Sequence, residues 1–246
     1  MDIEIYQLIL IAIIALGASF IQSVTGFGFG IFAMTFLPYI LAYQEANVLS
    51  SILGTCTSVT VAVTLFRHIH WKNIIFPLIG STVAAYVTVA LIKDQADTTL
   101  KLMLGIVLIV LSVYFFFFSS KMHIKPSWYM GLILGTLSGI TNAIFSMGGP
   151  PAVIYFMQSE KDSNDYIATL SAFFIISNIN SIIAKASAGF VTVNVWIALT
   201  VGVVGMALGA TIGKCVFKKL NAAMLKKAVY GVMAVSGVVN IITSLI

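Results

Sequence analysis

Residues 24–30 read VTGFGFG, inside an apolar run that extends from 4 to 42. Three glycines in five positions weaken a helix, because glycine costs about 1 kcal/mol relative to alanine in a helix interior. Length makes the interruption obligatory. A straight helix over 4–42 would be roughly 60 Å long at about 1.5 Å per residue, twice the roughly 30 Å of a bilayer core. The chain must bend hard or turn back, and the glycines are where it does so. A second stretch, SMGGPP at 146–151, interrupts the apolar run 128–158 in the same way.

The rest of the chain explains why bilayer dimensions apply. Of its 246 residues 60% are hydrophobic and 9% charged, against about half and about a quarter in a soluble domain. The mean hydropathy is +1.06. Apolar segments recur at 47–66, 73–92, 99–118, 165–184, 194–214 and 222–245, each near the roughly 20 residues of a membrane helix. No polar stretch is long enough to fold alone. The formal charge of +5 lies in short loops, where it sets orientation and gives no sign of a nucleic-acid partner. The start, MDIEIYQ, lacks the basic region of a cleaved signal peptide. Cys56 and Cys215 sit in or beside apolar segments and read as buried thiols, without disulfide or metal spacing.

The two halves match. At a shift of 121, Thr25 falls on Ser146, Gly28 on Gly149 and Ser50 on Ser171; at 122, Gly17 meets Gly139 and Gly80 meets Gly202; at 126, Lys101 meets Lys227 and Gly105 meets Gly231. Residues 1–123 and 124–246 are therefore expected to be two homologous repeats within one integral membrane domain. Charge bias decides how the broken segments run. If each is a re-entrant hairpin, Arg67, Lys72, Lys121, Lys125, Lys161, Lys214, Lys218, Lys219, Lys226 and Lys227 share a face, and Lys93, Lys101 and Lys185 lie opposite, a 10 to 3 split of the 13 basic residues. One net crossing per segment reduces the split to 8 to 5. The positive-inside rule favours the hairpins, with both termini extracytoplasmic. A hairpin plus three crossings inverts the second half relative to the first. The expected fold is thus an all-α polytopic membrane protein, each half a broken re-entrant hairpin plus three transmembrane helices, arranged as an inverted repeat. Trp71, Trp128 and Trp196 fall at segment starts, as interfacial anchors do, and YFFFF at 114–118 reads as an apolar helix end.

Enzyme chemistry has no foothold. No Asp, Glu or Arg falls in mid-span, and Lys101 and Lys185 lie near segment ends, from which they are expected to snorkel. The sequence HIH at 68–70 sits in a basic loop and reads as solvated. No metal site or cofactor is expected. The polar groups left inside are uncharged: Gln22, Ser23 and Thr25 at the first break, Thr141, Asn142 and Ser146 at the second, and Thr55, Thr57, Ser58, Ser177, Asn178, Asn180 and Ser181 on facing spans. Each break begins a new short helix, whose free N–H groups and dipole attract an anion. Paired broken segments point to a transporter's substrate site. The expected substrate site is Gln22, Thr25, Gly26, Phe27, Gly28, Phe29, Gly30, Thr57, Asn142, Ser146, Gly148, Gly149, Pro150 and Asn178. Gly131, Gly135 and Gly139, and Gly205, Gly209 and Gly213, recur every four residues and read as packing stripes.

GFGFGIFAMTFLP at 26–38 and SMGGPPAVIYF at 146–156 resemble the two glycine-rich motifs of the sulfite exporter TauE/SafE family, and the resemblance covers nearly the whole chain. Phe27 and Phe29 stand where many members carry more glycine. The resemblance implies a bacterial inner-membrane permease, an exporter of a small sulfur-containing anion such as sulfite, sulfoacetate or a related sulfonate. The partners expected are that anion, membrane lipid, a coupling proton or sodium ion, and a second copy of the chain in a homo-oligomer. The alternatives are a carboxylate permease, a cation-coupled symporter, and a non-transporting membrane assembly subunit.

Overall fold

The computed structural model describes residues 4–117, 125–216 and 222–245. Lys121, Lys218, Lys219, Phe118, the side chains of Phe115, Phe117, Lys226 and Lys227, and the 123/124 boundary between the expected repeats lie outside the described residues. The described residues form α1 (Ile5–Thr25), α2 (Phe29–Phe36), α3 (Tyr43–Thr64), α4 (Trp71–Ile92), α5 (Asp97–Phe117), α6 (Trp128–Phe145), α7 (Gly149–Ser159), α8 (Ser163–Ser187), α9 (Val193–Val216) and α10 (Ala222–Leu245), with no strand among them. Seven helices (α1, α3, α4, α5, α6, α8 and α9) are long and apolar enough to cross a membrane. The chain is a polytopic membrane protein. Its outer surface agrees: large apolar side chains are exposed along the candidate spans, Val63 and Leu91 at 71% and 70% among them, a contiguous apolar surface that lipid covers.

The breaks fall later than an even division of each run would put them. Each follows a long arm and precedes a short one: 21 residues of α1 before 8 of α2, and 18 of α6 before 11 of α7. The long arms persist because nothing stops them earlier. Gly26, at φ 82°, ends α1 in the left-handed conformation that glycine adopts without a Cβ clash. Gly28, at φ 104°, is also left-handed and caps the start of α2.

Packing pairs α1 with α9, α4 with α6, and α5 with α10, while α3 and α8 cross at the centre. The glycine stripes make two of these contacts. A Cβ on Gly205 or Gly209 would lie 2.0 or 2.1 Å from the carbonyl oxygens of Ala12 or Leu16. One on Gly135 or Gly139 would lie 2.1 or 2.4 Å from those of Pro77 or Ser81. Backbone thus touches backbone, the close approach that drives helix association where no hydrophobic effect operates.

Hydrogen bonds sort the helix ends. At one end the Tyr43 N–H donates to Asp97 (2.9 Å), Gln44 to the Lys93 carbonyl (3.3 Å), and Thr192 and Asn194 to Glu45 (2.6 and 3.2 Å). These bonds gather the starts of α3, α5 and α9 and the end of α4. At the other end Lys214 donates to the Thr60 carbonyl (3.3 Å), Asn73 to Glu160 (2.8 Å) and the His70 N–H to Thr169 (3.0 Å). They gather the ends of α3, α7 and α9 and the starts of α4 and α8.

Trp71, Trp128 and Trp196 stand in first turns and are 50%, 60% and 58% exposed. Two expectations fail. Cys56 is partly buried, but Cys215 is exposed, because it falls on a face of α9 away from its neighbours. Lys185 does not snorkel: it is fully buried, because α8 turns it inward onto polar groups of α3 and α6.

Candidate functional site

The two breaks meet. A Cβ on Gly30 would sit 1.7 Å from the Ser146 carbonyl oxygen, and one on Gly149 would sit 3.2 Å from the Phe27 ring. Ser146, at φ 55°, ends α6 and is the one non-glycine residue with positive φ among the described residues. Such a conformation is strained for a side-chain-bearing residue, and strain of this kind gathers at functional sites.

Between the breaks lies a narrow cavity lined by Gln22, Phe27, Gly28, Phe29, Gly30, Ile31, Ser50, Gly54 and Ser58 from the first half, and by Asn142, Ser146, Met147, Gly148, Gly149, Phe174 and Asn178 from the second. About 40 Å³ is open to the centres of water-sized molecules, enough for a few of them. Gln22 donates to Ser58 (2.8 Å) and Asn142 to Asn178 (2.9 Å). These bonds share one sequence interval: 142 − 22 and 178 − 58 are both 120. The starts of α3 and α8, Tyr43 and Ser163, differ by 120 as well.

Most of the expected residues line this cavity; four do not. Thr25 spends its hydroxyl on the carbonyls of Ile21 (2.9 Å) and Phe27 (2.5 Å), fixing the turn. Thr57 is buried on the Leu53 carbonyl and Ser19 (3.0 and 3.3 Å). Gly26 and Pro150 shape the breaks from outside the lining. Conversely, Ile31, Ser50, Gly54, Ser58, Met147 and Phe174 line the cavity and stand outside the expected set. One signal was present: Ser50, Gly54 and Ser58 recur every four residues and form a small, polar stripe along α3.

The wall is chemically one-sided. The first-turn N–H groups of α2, at Phe29, Gly30 and Ile31, have no helix carbonyl to bond. Pro150 and Pro151 remove two donors from α7, while Ser138 binds the Gly148 carbonyl (2.6 Å) and holds that turn. The Ser50 hydroxyl is buried without a hydrogen-bond partner. Behind the wall Lys185 Nζ donates to Asn47 Oδ1 (2.6 Å), Ser51 Oγ (2.8 Å) and the Asn142 carbonyl (3.2 Å), and Ser51 Oγ is 3.0 Å from Ser146 Oγ.

The two histidines of the HIH stretch are exposed but engaged, with Ile69 buried between them. His68 Nδ1 pairs with Asp165 (2.7 Å) and His70 Nδ1 with Glu160 (2.5 Å). His70, Glu160 and Asp165 offer ligand atoms within 4.8 Å of one another. The two ring nitrogens of His70 face different carboxylates, an arrangement of two ion pairs. The Glu160 hydrogen bond raises the His70 pKa above its usual value, against a smaller opposing effect of burial. This cluster belongs to a bundle end, apart from the cavity.

The family model described as sulfite exporter TauE/SafE matches residues 11–239. A curated protein of Cupriavidus necator, named probable sulfite/organosulfonate exporter TauE, is 21% identical over 225 residues, covering 89% of this chain and 88% of its own. No solved structure matches the chain.

Proposed function

The chain belongs to the sulfite exporter TauE/SafE family, a family of membrane transporters and not enzymes, and from that membership we propose that it exports a small sulfur-containing anion, sulfite or a compact sulfonate, across the bacterial inner membrane. The anion occupies the cavity between the two breaks. One observation carries this reading: the Ser50 hydroxyl is buried in the cavity wall with nothing to bond. A buried hydroxyl without a partner costs about 1–3 kcal/mol, and a ligand oxygen would relieve it. The free N–H groups of α2, with the positive end of its dipole, give that ligand a negative sign. The Gln22 and Asn142 amides supply polar contacts, and Phe27, Phe29 and Phe174 bound its size.

In this mechanism α1–α2 and α6–α7 are re-entrant hairpins entering from opposite faces, and the repeats rock about the anion. The sorting of helix ends supports it. The starts of α3 and α9 lie together, and α1 runs beside α9 with Ala12 against Gly205, so both arms of the first hairpin open at that end. Glu160, at the end of α7, lies at the opposite end. The face with Lys93 is then extracytoplasmic, as are both termini.

Purified protein in vesicles should carry sulfite or methanesulfonate down a gradient. Folded protein that moves neither, but moves acetate, would establish the carboxylate permease instead.

A further inference from the structure

We propose that Lys185 is the counter-ion of the transported anion, acting on the cavity through Ser51 and Ser146; this rests on the anion reading above. The ammonium is fully buried in α8. All three of its hydrogen bonds go to neutral oxygens, those of Asn47, Ser51 and Asn142. Among the described residues no carboxylate forms an ion pair with it. Two acidic groups at that end are engaged elsewhere: Glu45 accepts from Thr192 and Asn194, and Asp97 from the Tyr43 N–H. A buried charge without an opposite charge is costly, and an ionisable group at membrane depth calls for a partner. The cavity supplies the place for one. Ser51 Oγ touches both Nζ (2.8 Å) and Ser146 Oγ (3.0 Å), and Ser146 and Asn142 line the cavity. An anion there faces the dipole of α2 on one side and, through Ser146 and then Ser51, the Lys185 ammonium on the other. The partner of Lys185 is thus the substrate, and charge balance is complete only when the site is filled.

The test compares wild type, Lys185→Met, Lys185→Gln and Lys185→Arg for thermal stabilisation and vesicle flux, with methanesulfonate (one negative charge) and sulfoacetate (two) as probes. Lys185→Met should unfold no earlier than wild type without anion, since an unpaired buried charge has been removed. Its affinity for methanesulfonate should fall about tenfold, the size expected of a charge acting across several ångströms at an effective dielectric near 20. Its affinity for sulfoacetate should fall further. Lys185→Arg should retain more of both. Unchanged affinity in Lys185→Met, or an equal loss for both probes, overturns the counter-ion role while leaving the transport reading intact. If wild type neither binds nor carries any anion of the panel, both fall. If Lys185→Met and Lys185→Gln fail to fold while Lys185→Arg folds, the charge is structural and the proposal is wrong.

Discussion

Ser50 is the residue at which the cavity declares a sign for its own mutation. Replacing the hydroxyl with hydrogen removes an unsatisfied buried group and opens no cavity larger than one oxygen. Ser50→Ala should therefore stabilise the anion-free protein by about 1 kcal/mol. If that hydroxyl donates to the anion, the same change should raise the KM for flux several-fold. A stabilised variant with unchanged KM would remove Ser50 from the ligand shell. Gly30 gives the opposite case. Its Cβ would land on the Ser146 carbonyl oxygen, and both partners are backbone, so neither can swing aside. Gly30→Ala should prevent the two breaks from meeting and show as loss of folded protein in detergent chromatography. The glycines were legible in sequence because they sit in a repeated motif. Thr25 falls outside the lining for a reason also local: a hydroxyl at a helix end bonds the nearest carbonyls first, and here it does so twice.

At the scale of elements, the four-residue glycine recurrence predicted which helix faces would be close, though not which helices would share them. The partner is set by tertiary packing, and each stripe meets a helix of the other half: α9 meets α1 and α6 meets α4. Gly205→Leu should separate α9 from α1 and abolish folding, since its side chain would start 2.0 Å from the Ala12 carbonyl. Gly231, with nothing within 4 Å of its Cβ position, should accept alanine without loss. The His70–Glu160 contact ties the start of α4 to the end of α7, and its sign follows from the raised pKa. A histidine held above the roughly 6.5 of a free side chain favours the folded state fully below that value. The contribution disappears as pH rises through the raised value. Hydrogen exchange in the α7–α8 connection should therefore quicken with pH beyond its intrinsic rate in wild type, and in His70→Gln it should be fast throughout. Exchange in the two proteins that rises in parallel would show that the contact does not hold this joint.

Over the whole molecule, hydropathy and length made the membrane class and most helices readable, because lipid forces every backbone polar group into a helix. Lys185 was not readable. Its position near a segment end predicts snorkelling, and only the placement of Asn47 and Ser51 on α3, more than 130 residues away, turns it inward. The same long-range pairing bears on topology. The Lys93 face also holds Gln44, whose side chain donates to the Lys93 carbonyl, and the opposite end holds Lys161, next to Glu160. Tyr43 is fully buried, its hydroxyl on the Ile144 carbonyl, so a thiol there would report packing, whereas Gln44 is partly exposed and Lys161 exposed. If α1–α2 is a hairpin, Gln44 lies outside the cell and Lys161 inside. In a background lacking Cys56 and Cys215, a membrane-impermeant maleimide applied to intact cells should label Gln44→Cys and leave Lys161→Cys unlabelled until the membrane is opened. One net crossing by the first segment would keep the N-terminus outside and move Gln44 to the cytoplasm. Protection of Gln44→Cys in intact cells, with labelling after lysis, would defeat the hairpin and with it the inverted arrangement on which the rocking mechanism depends.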